Sequence, residues 1–152
     1  TKNGMMLGEA VISFRPELSE NMKYIRKQSG QLYSKMRYTS CQFLPYLTNE
    51  LWRKNALHAN KMAQLLVKGI REICDVEFSQ KVEANIVLMC MPRKVIEKLQ
   101  KKYVFYIWNE ITDEMRLVTS FDTTPEDVHS FLEDLKDALK EFPLKFTVNS
   151  EK

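Results

Sequence analysis

The chain has 152 residues and a hydrophobic fraction of 44%, which is enough apolar material for one domain, or one and a fraction, with a real core. Its net charge is +3, and the 23 basic residues are scattered among 20 acidic ones, so a solvated surface explains the charge better than nucleic-acid binding. No apolar run approaches the ~20 residues of a membrane span, so no transmembrane helix is predicted.

The segment that follows Lys2 combines two glycines with an apolar run. Residues 5–14 alternate little between apolar and polar, which predicts a strand covered on both faces. Gly4 and Gly8 allow backbone angles and close approaches that other residues do not, so Lys2 stands at the head of a tight turn. A lysine in such a turn can present its amine to a carbonyl group and form a covalent bond with it.

Two helices are predicted next. Pro16 suits the first turn of a helix because its φ is already fixed near the helical value. Ser29-Gly30 ends this helix after about Gln28. A second helix covers about residues 31–46, and Pro45 marks a break near its end.

A longer helix begins at Thr48, whose hydroxyl can cap it. Its apolar residues recur at steps of three and four as far as Ile73, and basic residues take the other face. A long helix after a proline break is typical of a connection between two domains. The predicted domains are therefore residues 1–47 and residues 48–152.

The remainder of the chain predicts an α+β module of order β-β-α-β-β-α. Four strands are predicted, over residues 76–79, 84–91, 104–109 and 115–121. The last two form a hairpin. Helices begin at Pro92 and Pro125, and the second has a strong start because Thr124 can cap it and acidic residues follow. Such a module buries one face of an antiparallel sheet under its helices.

The polar residues suggest little chemistry by composition alone. The three cysteines are widely spaced, without a C-x-x-C pair, and predict reduced thiols in a cytosolic protein. Neither histidine has metal-ligand spacing to a cysteine, so no metal site is predicted. Arg116 is the exception, because an arginine among apolar strand residues needs a partner when it is buried. A guanidinium group can grip a carboxylate through two hydrogen bonds.

Several sequence blocks together resemble one known family. They are Thr1-Lys2-Asn3-Gly4 with Gly8-Glu9-Ala10-Val11, Tyr24-Ile25-Arg26-Lys27-Gln28, Ser34-Lys35-Met36-Arg37, His58-Ala59-Asn60-Lys61-Met62-Ala63 and Met115-Arg116-Leu117-Val118-Thr119-Ser120-Phe121. In this order, and over nearly the whole chain, they resemble the threonine aldolases, pyridoxal-phosphate enzymes of the aspartate-aminotransferase-like fold. The resemblance implies the C-terminal portion of a longer enzyme. Residues 1–47 would be a remnant of its large α/β domain, and residues 48–152 its small C-terminal α+β domain.

The resemblance also implies roles for four residues. Lys2 would carry pyridoxal 5'-phosphate, and Arg116 would hold the α-carboxylate of the substrate. Arg37 would reach the cofactor phosphate, often across a dimer interface, and Lys27 would add positive charge to the same region. The alternatives are solvated surface lysines for Lys2 and Lys27, a plain salt bridge for Arg37, and a protein carboxylate partner or an exposed sheet edge for Arg116.

The implied activity is the cleavage of β-hydroxy amino acids, such as threonine to glycine and acetaldehyde, in a cytoplasmic homodimer or homotetramer. The group that stacks on the cofactor ring, the acid at its nitrogen and the phosphate cup come from upstream of Lys2 in that family. The chain alone is therefore expected to be inactive. A related β-eliminating lyase, similar to tryptophanase, and a non-enzymatic α+β interaction domain are the alternatives.

Overall fold

The computed structural model describes residues 2–144, which divide after Asn55 into two compact units. Each unit is described by itself. The elements are α1 Pro16–Ser19, α2 Met22–Gln28, α3 Met36–Leu47, a 3-10 turn Thr48–Glu50, α4 Leu51–Ile73, β1 Ile86–Cys90, α5 Arg93–Gln100, β2 Tyr106–Asn109, β3 Glu114–Val118 and α6 Pro125–Glu141. A domain boundary near Leu47 stays a prediction.

The strand predicted over residues 5–14 is wrong. This segment is irregular, and Val11, Ile12 and Phe14 are 74–92% exposed. A strand needs a neighbour to pair its backbone groups, and the part of the first unit that the structure describes contains no other strand. The apolar run is therefore present in the sequence, but the described part of the first unit offers no second strand to form a ladder of hydrogen bonds with it.

The predicted helices of the first unit form with shorter bounds. The helix expected over residues 16–28 is divided into α1 and α2, because Asn21 has φ −100° and ψ 3°, outside the helical region. The second helix, α3, begins at Met36 and continues through Pro45. The long helix α4 starts at Leu51 and not at Thr48. Asn49 and Glu50 have φ of 53° and 56°, so the chain turns sharply between α3 and α4.

The second unit is built on a three-stranded antiparallel sheet of order β1-β3-β2. Met115 and Leu117 of β3 lie opposite Met89 and Val87 of β1, and all four are buried. They form one core with apolar side chains of α4, α5 and α6, so the three helices cover this face of the sheet. The α+β class and the hairpin of β2 and β3 are confirmed.

One predicted strand of this unit does not form. Residues 76–79 contribute only a single bridge, between Phe78 and Met89, so the order after α4 is β-α-β-β-α. A segment this short lacks the length to form a ladder of hydrogen bonds.

A buried threonine attaches the sheet to the long helix. The Thr119 hydroxyl donates to the carbonyl oxygen of Ala59 at 2.7 Å, and the Thr119 N–H donates to the Asn85 carbonyl at 3.0 Å. Nearby, His58 Nε2 lies 2.7 Å from the Thr123 carbonyl oxygen. These bonds fix the end of β3 and the loop after it against α4.

Helices α4 and α6 approach each other closely at Gly69. A Cβ atom at this position would lie 2.2 Å from Leu132 Cδ1. Leu132 is buried in the core, so any side chain at residue 69 would displace it. The space between the two helices therefore depends on a glycine.

Helix α6 begins with a capping box, as the sequence predicts. The Thr124 side chain accepts from the Asp127 N–H at 3.1 Å, and the Asp127 carboxylate accepts from the Thr124 N–H at 2.8 Å. The hydrogen bonds from the backbone and hydroxyl of Thr124 lower the pKa of Asp127. Its stabilising effect is complete above the ordinary aspartate pKa of about 4 and is lost as the pH falls through the lowered value.

Replacing Thr124 with alanine should lower the free energy of unfolding by about 1 kcal/mol, because the N–H of Asp127 loses its partner at the helix start. Urea denaturation monitored by circular dichroism measures the change. The matched control is Thr124→Ser, which keeps the hydroxyl and should stay close to the wild type. Equal destabilisation by serine and alanine would show that the hydroxyl contributes nothing.

Candidate functional site

The tight turn predicted at Lys2 is formed. The Met5 N–H donates to the Lys2 carbonyl oxygen at 3.1 Å and closes the turn. Asn3 and Gly4 adopt positive φ values of 54° and 99°. Asparagine and glycine are the residues that tolerate this region best, so the sequence N-G selects the turn.

Two asparagine side chains attach this turn to the rest of the first unit. Asn3 Nδ2 donates to the Tyr46 hydroxyl at 2.9 Å and to the Trp52 carbonyl oxygen at 2.8 Å. Asn55 Nδ2 donates to the Asn3 carbonyl oxygen at 2.9 Å. The backbone that carries Lys2 is thereby connected to the end of α3 and the first turns of α4.

A glutamine on α3 holds the residues after the turn. Gln42 Oε1 accepts from the N–H groups of Met6 and Leu7 at 3.0 and 3.3 Å, and Gln42 Nε2 donates to the Leu7 carbonyl oxygen at 2.9 Å. Gly8 is buried against the same helix, where a Cβ atom would lie 3.0 Å from Phe43 Cε2. The absence of a side chain at Gly8 lets the segment approach α3 this closely.

The three cations that the family resemblance assigns to the cofactor all lie in the first unit and are exposed. Lys27 is in the last turn of α2, and the guanidinium carbon of Arg37 lies 5.1 Å from the ring centroid of Tyr38. No hydrogen bond, ion pair or ring contact within residues 2–144 joins any two of Lys2, Lys27 and Arg37. None of the three pairs with a carboxylate in the same range, so each charge is available to an anionic group.

Arg116 lies at the centre of the sheet in the second unit. Its neighbours Met115 and Leu117 are buried beneath the helices, and side chains alternate between the faces of a strand, so Arg116 faces away from the core. It is opposite Leu88 on β1 and Tyr106 on β2. The side chain is half-buried, which places the charge within reach of solvent and ligands.

The guanidinium group of Arg116 lies over an aromatic ring. Its central carbon is 5.5 Å from the centroid of Trp108, within the range of a cation–π contact. No carboxylate lies within ion-pair distance of Arg116 in the described part of the chain. No residue in that part of the chain is therefore a carboxylate partner for Arg116. Its role in binding the substrate stays a prediction.

A cleft opens beside Arg116 on the outer face of the sheet. Its lining residues are Gln80, Lys81, Glu83, Ala84, Ile86, Leu88, Trp108 and Arg116. Lys81 and Glu83 pair with each other at 2.6 Å on one side of the cleft. Since these two charges neutralise each other, Arg116 is the uncompensated cation among the described residues that line the cleft.

Trp108 is not among the site residues that the sequence predicts. The pairing of β2 with β3 in the hairpin is what places Trp108 on the same face as Arg116. Residues alternate along β2, so Tyr106 and Trp108 share a face, and that is the face of Arg116 because Tyr106 is paired with Arg116. The register shifts between Ile107 and Asn109, which no pattern in the sequence shows.

Known proteins similar to the chain agree with one family. This chain is 38% identical over 137 residues to the low specificity L-threonine aldolase of Pseudomonas sp. (strain NCIMB 10558). The match covers 90% of this chain and 39% of that protein. The low specificity L-threonine aldolase of Pseudomonas aeruginosa is 35% identical to this chain over 137 residues, which are again 90% of this chain and 39% of that protein. The resemblance to threonine aldolases is confirmed. A solved threonine aldolase from Leishmania major shares the fold, with a TM-score of 0.71 and 28% identity over 77% of this chain and 35% of that one.

The chain spans 39% of the length of the two curated aldolases it matches. No protein-family model matches it. Among residues 2–144, the helices are too short or too polar to cross a membrane.

The attachment of the Lys2 segment can be tested through Gln42. Replacing Gln42 with alanine removes the acceptor of two N–H groups, so the amides of Met6 and Leu7 should exchange with solvent faster. Hydrogen exchange followed by NMR measures both amides, with the buried Val87 amide as an internal reference. Gln28→Ala is the matched control, since Gln28 is another helical glutamine of the first unit. Unchanged exchange in Gln42→Ala would refute the attachment.

Proposed function

We propose that the chain is part of a pyridoxal-phosphate-dependent lyase that cleaves β-hydroxy amino acids, for example threonine to glycine and acetaldehyde. The similarity to two L-threonine aldolases over 90% of the chain carries this proposal. The anchored turn at Lys2 supports it, because a residue that reacts with a cofactor needs a defined backbone position.

The residues of the first unit fit the chemical groups of the cofactor. Pyridoxal phosphate carries an aldehyde, which an amine binds covalently, and a phosphate, which cations bind. Lys2 offers an amine that has no carboxylate partner within residues 2–144, and Arg37 and Lys27 offer two such cations. In the proposed enzyme the Lys2 amine would hold the cofactor through its aldehyde, and Arg37 and Lys27 would hold its phosphate. When bound, the cofactor draws electrons from the carbon–carbon bond that breaks.

Arg116 would bind the carboxylate of the amino acid. A guanidinium fork matches a carboxylate through two parallel hydrogen bonds, and this pairing orients the substrate as well as attracting it. The outer sheet face supports the role because Arg116 has no carboxylate partner among the residues described. Holding the carboxylate fixes one end of the substrate, so that the bond to be broken is presented in a defined orientation.

The assembly and location of the enzyme are part of the same proposal. It is a cytoplasmic homodimer or homotetramer with a small amino-acid substrate. The group that stacks on the cofactor ring and the base for the β-hydroxyl have no assigned residues in this chain. The 152 residues alone should therefore show no aldolase activity.

The test of Lys2 uses the full-length protein that contains this chain, mixed with pyridoxal phosphate. It should cleave L-threonine or L-allo-threonine and show the visible absorption band of covalently bound cofactor. Lys2→Ala should abolish both, because the amine that forms the bond is lost. Lys23→Ala is the matched control, since Lys23 is another exposed lysine of the first unit. A band that persists in Lys2→Ala would rule out the covalent role. Elimination products without aldehyde release would favour a tryptophanase-like lyase.

The test of Arg116 measures binding of glycine to the same full-length protein by calorimetry. Arg116→Ala should weaken binding by about 2–5 kcal/mol, the range for removing one partner of a buried charge pair. Arg71→Ala is the matched control, because Arg71 has the same kind of ring contact, with Phe78 at 5.3 Å, outside the Arg116 cleft. Unchanged affinity for glycine in Arg116→Ala would refute the carboxylate role.

A further inference from the structure

We propose that Trp108 is a positioning residue that holds the Arg116 guanidinium ready for the carboxylate of the amino acid. This inference rests on the proposed role of Arg116 in substrate binding. It adds a residue to the site, because Trp108 acts through the arginine and not on the reacting atoms.

The contact between the two residues leaves the hydrogen-bonding groups of Arg116 available. A cation–π contact uses the attraction between the charge and the ring and consumes no N–H donor. Within residues 2–144 the Arg116 side chain makes no hydrogen bond, and its guanidinium carbon lies 5.5 Å from the centroid of the Trp108 ring. The arginine is thus held in place while all five of its N–H groups can still donate to a ligand.

Arg93 of the same unit shows the contrasting arrangement. Its Nη2 atom lies 2.7 Å from a Glu110 carboxylate oxygen and 2.6 Å from an Asp113 oxygen. The hydrogen bond to Glu110 is the largest of the effects that raise the pKa of Arg93. That guanidinium group is already occupied by protein carboxylates, so it stabilises the hairpin turn and cannot serve a ligand in the same way.

From its position, Trp108 can restrict the rotamers of the Arg116 side chain and still contact a ligand in the cleft. The indole is 63% exposed and lines the cleft together with Arg116. A long arginine side chain that is free in solution loses rotamer freedom when a ligand binds it. Since the ring already restricts Arg116, less freedom is lost on binding, and the affinity for a carboxylate rises.

A neighbouring aromatic residue provides a matched comparison. Tyr106 lies directly opposite Arg116 on β2 and is 70% exposed. Within the described part of the chain no ring contact joins it to Arg116, whose cation–π partner is Trp108. Removing Tyr106 takes away a similar aromatic surface from the same face without removing the proposed support.

The experiment is a double-mutant cycle on the full-length protein loaded with pyridoxal phosphate, with the dissociation constant of glycine measured by calorimetry. Trp108→Leu should raise this constant about three- to fivefold, the effect expected for an exposed cation–π contact. Trp108→Phe keeps a ring and should stay within about twofold of the wild type. Tyr106→Leu should leave the dissociation constant of glycine unchanged. The dissociation constant of ethanolamine, which has no carboxylate, should be unchanged in all the Trp108 variants.

The decisive comparison is made in the Arg116→Ala background. There, Trp108→Leu should have no further effect on glycine binding, because the residue it positions is absent. The same loss in both backgrounds would show a general structural role and overturn the proposal, as would an unchanged constant in Trp108→Leu alone. If Arg116→Ala itself leaves glycine binding unchanged, the carboxylate role fails and the positioning role with it. Melting temperatures of all variants establish that each one is folded.

Discussion

The burial of Met115 and Leu117 is the constraint on which the second unit depends. These two side chains fill the space between the sheet and the helices, and the strand period of two then forces Arg116 onto the opposite face. A shift of one residue in the register of β3 would bury the guanidinium and expose the core. The buried hydrogen bond from Thr119 to Ala59 prevents such a shift because it fixes the end of the strand to α4.

The first unit holds its candidate residue by a different kind of interaction. Among residues 2–55 no apolar side chain is buried, and the side-chain amides of Gln42 and Asn55 bind backbone groups of Asn3, Met6 and Leu7, just after Lys2. The Asn3 amide binds the Trp52 carbonyl oxygen in turn. Hydrogen bonds specify direction and distance better than apolar contacts do, but each one contributes only about 1 kcal/mol net. The two candidate positions therefore differ in how they are secured: Arg116 by a packed core and Lys2 by a set of individually weak polar bonds.

Periodicity determined which parts of the fold could be predicted. Apolar residues recur at the helical period in α4 and α6 and at the strand period in the β2–β3 hairpin, so the sequence predicts these elements. Residues 5–14 were predicted wrongly, since an apolar run shows that a strand can form but not that a neighbour exists to pair with it. The role of Lys2 and Arg116 came from family resemblance, whereas Trp108 was missed because its contact depends on the pairing of two strands and a local register shift.

The glycine in the middle of α4 has a thermodynamic consequence. Glycine inside a helix costs about 1 kcal/mol relative to alanine, so Gly69 weakens the helix that carries it. The side chain of Leu132 occupies the volume that a larger residue would take, and the two helices pack more closely as a result. Helix α4 therefore gives up local helical stability in exchange for tertiary contacts. Its second half depends on α6 to remain folded, so the two helices should unfold as one cooperative unit.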